Sequence, residues 1–273
     1  MGKFSGKLIC TDLDDTLLTD DKKISDENIN AIKYFMDNGG YFAFATGRIP
    51  HGTQMFLKYI MPNAPIICIN GAAIYDYQKQ EFVRISKLDK QKAAKAIDYV
   101  DKNFPTAGIE ICSVDTAYFY KSNHILEEQK RFENFPDNYV DDYRDIHDDW
   151  VKALFTVETD EISALKALIA ESDFYNEFSF MQSSPWYYEI LPKNATKGDM
   201  LLNLADYLGV KRENTIAFGD NENDVTLVKN AGIGVAVQNA MEAVKQAADI
   251  ITVDNNSHAI AAIINHIDKS ECR

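Results

Sequence analysis

The feature that most limits what this chain can become is a rhythm. In its first and last thirds, short runs that are apolar throughout alternate with helical patterns. "KLICTDL", "YFAFAT" and "PIICIN" read as strands early in the chain, and "NTIAFGD", "IGVAV" and "DIITV" read as strands late in it. A strand that is apolar on both sides has to be covered on both sides, and helices lying between such strands supply the cover. The expected fold class is therefore α/β, with a doubly wound parallel sheet. Between the early strands, Ser25 is placed to cap a helix carrying Ile29, Ile32, Tyr34, Phe35 and Met36, and Gly39-Gly40 is placed to stop it. "HGTQMFLKYIM" reads as a second helix and "AAIYDY" as a hairpin extension of the sheet; "NDVTLVKNAG", "AMEAVKQAA" and "HAIAAIINHI" are the late helices.

The middle departs from this rhythm. From Phe82 to Pro192 the chain has more aromatics and longer polar stretches, with strand candidates at "TAYFYK", "KALFTVE" and "WYYEIL". The expected organisation is one α/β core made of residues 1–81 and 193–273, interrupted by an α+β insert at residues 82–192. Its aromatic clusters, "DFYNEFSF" and "SPWYYEI", suit either stacking on a sugar or the insert's own core.

Chemistry concentrates where strands end. "LICTDLDDTLLTD" puts Asp12, Asp14 and Asp15 directly after the first apolar run. Residues two apart on an extended segment point to one side, so Asp12 and Asp14 are expected to share the crevice beyond the strand. Two carboxylates about 4 Å apart repel by about 4 kcal/mol at an effective dielectric near 20. A cation, a proton or a lysine has to offset that. "FGDNEND" repeats the theme after a late strand, with Asp220, Asn223 and Asp224. Carboxylates with amide oxygens are hard ligands suited to Mg²⁺, although helix capping alone would explain one such residue. In "ATGRIP", Thr46 and Gly47 offer a hydroxyl and a backbone N–H before a helix, the makings of an anion site. Lys197 opens a helix, against that helix's dipole; it is either a surface lysine or a residue with another purpose. Asn70-Gly71 follows a strand end and suits either substrate contact or an ordinary turn.

Taken in order, these segments resemble the haloacid dehalogenase-like (HAD) phosphatase superfamily. DxDxT at Asp12 matches its first motif, Thr46 its second, Lys197 its third and GDxxND its fourth. "DLDDTLL", "ATGR" and "GDNEND" are similar to the Cof-type hydrolases, whose large C2 cap is inserted between the second and third motifs. The resemblance implies a Rossmann-like core and a phosphatase acting on small phosphorylated metabolites, sugar phosphates foremost, through an aspartyl-phosphate. It casts Asp12 as nucleophile and Asp14 as general acid and base. Asp12, Asp220 and the backbone carbonyl of Asp14 would bind Mg²⁺, with Asp224 in support. Thr46, Gly47, Lys197 and Asn223 would hold phosphate oxygens. The insert becomes a lid that excludes water and selects substrate. A phosphohexomutase-like transferase and a phosphate-sensing module without turnover are the alternatives.

Composition narrows the rest. A net charge of −14 over 273 residues disfavours nucleic acid and anionic membranes as partners. Four cysteines, Cys10, Cys68, Cys112 and Cys272, form no CxxC pair and no disulfide framework. With no apolar leader in "MGKFSGKLIC", the expected location is the cytoplasm. Oligomeric state is left open.

Overall fold

The computed structural model describes residues 2–270. In chain order the main elements are β1 (Leu8–Thr11), α1 (Asp26–Asp37), β2 (Tyr41–Phe44), α2 (Pro50–Leu57), β3 (Ile66–Cys68), β4 (Ala73–Asp76) and β5 (Glu81–Ile85). Next come α3 (Lys90–Asn103), β6 (Gly108–Cys112), β7 (Ala117–Lys121), α4 (His124–Glu133), β8 (Lys152–Thr156), α5 (Ile162–Ala170), β9 (Phe178–Ser184) and β10 (Tyr187–Pro192). The chain closes with α6 (Lys197–Leu208), β11 (Thr215–Gly219), α7 (Val225–Asn230), β12 (Ile233–Ala236), α8 (Glu242–Ala247), β13 (Ile250–Ile251) and α9 (Ala259–Ser270).

These elements fall into two compact units. Among the described residues, unit 1 holds those up to Gly47, Thr53–Arg84 and those from Thr196 onward; unit 2 holds Arg48–Gly52 and Ile85–Ala195. Unit 1 is built on a five-stranded parallel sheet in the order β13-β12-β11-β1-β2. A parallel bridge from Ala45 to Ile67 sets β3 beside the end of β2, and β3 turns back into β4 as an antiparallel hairpin. Alternate strand residues serve opposite layers. Leu8, Cys10, Ala43, Ala45 and Ala217 pack with Met200, Leu201, Leu204 and Leu227 of α6 and α7. Ile9, Phe42, Phe44 and Phe218 between them are fully buried toward the other side. The mutually packed pair α1 and α9 belongs to unit 1 as well. The Ser25 cap forms, its side chain accepting from the Asn28 N–H, and α1 ends before Gly39 at φ +90°.

The chain order puts the sheet's switch point between β1 and β11. From β1 the chain moves outward to β2; from β11 it moves the other way to β12 and β13. In open α/β sheets, the crevice beyond the strand ends at such a point is where ligands bind. Register aligns Thr11 with both Phe218 and Phe44, so Asp12, Ala45 and Gly219 leave the sheet at one level.

Unit 2 has a five-stranded antiparallel sheet in the order β7-β6-β8-β10-β9. Ala93, Ile97 and Val100 of α3 and Leu165 and Ile169 of α5 pack against Ile109, Ile111, Ala153, Phe155 and Ile190 on one face. The opposite face carries a buried polar group. Glu110, Lys152 and Glu189 are each 5% exposed or less, and the Cys112 thiol donates to Glu110 Oε1 at 2.8 Å. Cys10, Cys68 and Cys112 are free and buried, and Cys272 lies outside the described residues. Among the described residues no helix is long and apolar enough to cross a membrane.

Candidate active site

β1 delivers Asp12 to the switch point. Its N–H donates to the Phe218 carbonyl at 3.1 Å, so the strand pairing persists up to this residue. The chain then leaves extended geometry: Leu13–Leu17 winds into a wide helical turn, with Asp15 at φ +56°. Asp12 is 7% exposed, and burial pushes its carboxyl well above the usual carboxylate range. Lys197 opposes this, while Asp224, Asp220 and Asp14 add to it.

Lys197 is the first residue of α6 and is fully buried, so it is not a surface lysine. Thr196 caps the helix, accepting from the Asp199 N–H at 3.1 Å. The Lys197 ammonium donates to Asp12 Oδ1 at 2.6 Å and to Asp224 Oδ1 at 2.7 Å. Burial alone would lower its pKa, but the two carboxylates outweigh that and raise it, so the lysine stays charged. This is the cation that the crowded acids require.

β11 delivers Asp220, whose Oδ1 accepts from the Thr16 hydroxyl at 2.8 Å. Burial and then Asp224 push the Asp220 carboxyl up to about 7, against Thr16 and Lys197. Asp224 is fully buried and held on both oxygens: Oδ1 by Lys197, Oδ2 by the backbone N–H groups of Asp220 (3.1 Å) and Asn221 (3.3 Å). Asp12, Asp220 and Asp224 each bring one carboxylate oxygen to within 4.8 Å of the other two. Three hard oxygen donors in so small a space fit Mg²⁺.

Asp14 does not join this trio. Its side chain is about one-third exposed and lies 3.5 Å from the Lys22 ammonium, which also donates to Asp15 Oδ1 at 2.8 Å. Asp14 keeps extended dihedral angles, φ −68° and ψ +130°, and lies near enough to Asp12 to add to the upward push on its carboxyl. Lys22 is held there by a short hairpin in which Leu18 bridges to Ile24.

The amide and hydroxyl residues gather around Asn70. Thr46 is buried, and its N–H donates to the Ile67 carbonyl at 2.9 Å. Asn223 is buried, and its Nδ2 donates to Asn70 Oδ1 at 2.9 Å. A Cβ on Gly47 would fall 3.0 Å from both amide atoms of Asn70, so only glycine fits there without displacement. Asn70 is fully buried in the β3–β4 connection, where Ile69, Asn70 and Gly71 all have positive φ, at +54°, +52° and +101°. Such conformations cost of order 1–3 kcal/mol each for residues other than glycine, and most for a β-branched one. Residue types left Thr16, Lys22 and the Asn70–Asn223 bond unassigned. Thr16 lies within the DxDxT pattern; the other two depend on distant segments meeting.

Comparison with known proteins identifies the family. Residues 9–264 match the family described as haloacid dehalogenase-like hydrolase. The chain is 31% identical over 260 residues to the 5-amino-6-(5-phospho-D-ribitylamino)uracil phosphatase YcsE of Bacillus subtilis, covering 95% of each chain. It is 26% identical over 267 residues to the pyridoxal phosphate phosphatase YbhA of Escherichia coli, covering 94% of this chain and 97% of that one. A solved structure from Thermotoga maritima superposes with a TM-score of 0.80 at 29% identity, covering 95% of this chain and 97% of that one. The chain thus belongs to the haloacid dehalogenase-like hydrolases and is a phosphoric monoester hydrolase.

Proposed function

We propose that the protein is a Mg²⁺-dependent phosphatase that hydrolyses small phosphorylated metabolites, sugar phosphates foremost, through an aspartyl-phosphate on Asp12. The observation that carries this reading is the trio Asp12, Asp220 and Asp224 closed by Lys197 at the switch point of the sheet. Asp12 and Asp220 would hold the ion directly, with the Asp14 carbonyl, while Asp224 orients Lys197 and the Asp220 backbone. Bound there, the ion would supply positive charge for the phosphoryl oxygens.

Asp12 must be ionised to attack phosphorus, and burial works against that. Lys197 works the other way, favouring the charged carboxylate from 2.6 Å, and it would meet one phosphate oxygen. Asp12 takes the phosphoryl group, and Asp14 passes a proton to the leaving oxygen. Asp14 then removes a proton from the water that cleaves the aspartyl-phosphate. Its partial exposure and its lysine neighbour suit a group that exchanges protons. Thr46, the Gly47 N–H and Asn223 complete the phosphate seat. The domain reading belongs to the same proposal: residues 1–81 and 193–273 perform the chemistry, and 82–192 form the substrate-selecting lid of a cytoplasmic enzyme. Relatives named for phosphates of ribitylaminouracil and pyridoxal support a small phosphorylated organic substrate.

The test is turnover of a phosphate-ester panel by wild type and Asp12→Asn, with and without Mg²⁺. The expected result is release of phosphate by wild type with Mg²⁺ and none by a folded D12N. D12N activity near wild type would overturn the mechanism. A hexose 1-phosphate converted to its 6-phosphate, without free phosphate, would indicate the mutase chemistry instead.

A further inference from the structure

We infer that Asn70 is a positioning residue for phosphate transfer, acting through the amide of Asn223. The inference rests on the phosphatase reading above and adds a residue that none of the four motifs contains.

The backbone around Asn70 is held in a conformation that this sequence does not favour. Three consecutive residues have positive φ, and the first is isoleucine. Glycine adopts that region freely and asparagine tolerates it; a β-branched side chain does not. The surroundings hold the segment there. The Asn70 N–H donates to the Thr46 carbonyl at 3.0 Å, and the Ala72 N–H donates to the Ile69 carbonyl at 2.9 Å.

The result is that one short segment meets three of the four motifs. At the second motif, the Asn70 amide lies against Gly47. At the third, a Cβ on Gly71 would stand 2.3 Å from the Thr196 carbonyl carbon and 2.8 Å from the Lys197 nitrogen, so Gly71 admits the start of α6. At the fourth, Asn70 Oδ1 accepts from Asn223 Nδ2.

That last bond sets which way the Asn223 amide faces. Asn223 Oδ1 is buried with no hydrogen-bond partner among the described residues, so the bond to Asn70 is what orients the group. Turning the amide over would place two carbonyl oxygens face to face. With one N–H committed to Asn70, the other is presented for an oxyanion. Asn70 thus keeps Asn223 a donor.

Asn70→Gly tests this, because glycine accepts φ +52° while removing the amide. The readouts are kcat and KM for a phosphate ester the wild type hydrolyses, the inhibition constant of inorganic phosphate, and the melting temperature. N70G is expected to melt as a folded protein, to bind phosphate at least tenfold more weakly and to lose at least tenfold in kcat/KM. Asn223→Ala should show a similar loss, and N70G/N223A should be no worse than N223A within about threefold, as for residues acting in one chain. Phosphate inhibition within twofold of wild type in N70G, or a double variant whose loss is the product of the single losses, would overturn the inference. If N70G does not melt cooperatively, Asn70→Ala serves in the same cycle. An inert wild type, or a fully active D12N, would instead remove the phosphatase reading, and is told apart because it appears without any change at Asn70.

Discussion

Replacing Lys197 by methionine keeps the length and apolar bulk of the side chain and deletes one charge. The ammonium lies 2.6 Å from one Asp12 oxygen and 2.7 Å from one Asp224 oxygen, and it is fully buried. At an effective dielectric near 20, each pair is worth about 6 kcal/mol of attraction, against which stands the cost of drying three ions. The net value of such an ensemble is small, but breaking it is expensive, because two acids are left buried without their cation. Removing one partner of a buried pair typically costs about 3–5 kcal/mol. For domains of 150–250 residues, 1 kcal/mol moves the melting temperature by about 2–4 °C. Lys197→Met should therefore melt roughly 10 °C below wild type in EDTA, by differential scanning fluorimetry at pH 8. Adding Asp12→Asn should recover part of the loss, since one of the stranded charges is then gone. A K197M protein melting within about 2 °C of wild type, or a K197M/D12N protein less stable than K197M, would refute the account of the lysine as counter-charge.

Three further outcomes are expected. Glu110 is buried, and burial pushes its carboxyl up to about 7 from 4.5, with Glu133 and Glu189 adding and Lys152 and Cys112 opposing. The folded state thus keeps a proton that the unfolded chain releases, so stability should fall as pH rises from about 4.5 through 7, by roughly 3 kcal/mol at most. Glu110→Gln should gain on wild type in melting temperature between pH 5 and pH 8, and parallel pH profiles would contradict this. Gly71→Ala places a Cβ against the Thr196 backbone at φ +101°; it should lower the melting temperature by several degrees and reduce kcat more than tenfold. Mg²⁺ should raise the wild-type melting temperature and EDTA should abolish turnover, while Asp220→Asn should lose most of the Mg²⁺-dependent shift, read by titrating Mg²⁺ in the thermal assay.

How far the sequence could be read followed the physics of each region. Parallel strands in unit 1 are apolar on both sides, so they stand out as unbroken runs, and the acids that follow them mark the crevice. Unit 2 was less legible. Its strand β6 has a buried glutamate in the middle, Glu110, which breaks the apolar signal, and β9 trades apolar residues for Gln182, Ser183 and Ser184. The helix read from Asn223 onward begins at Val225, because Asn221 and Asp224 first form a capping box in a tight turn. Asp224 is engaged there by two backbone N–H groups. Asp12, Asp220 and Lys197 were legible because their motifs are local. The approach of Lys22 to Asp14 was not, because it depends on how Leu13–Leu17 coils and on a hairpin that no short-range pattern announces.

The pairing of β1 with β11 has a consequence for the birth of the molecule. Leu8 lies opposite Thr215, a separation of 215 − 8 = 207 positions. A ribosome adding about 5–20 residues per second needs roughly 10–40 seconds to cover that interval. Throughout it, one edge of the first strand lacks its final neighbour. β2 covers only the opposite edge, so the nascent chain needs something else, such as a chaperone, to shield this one, and no fragment ending before residue 224 carries the whole acid cluster.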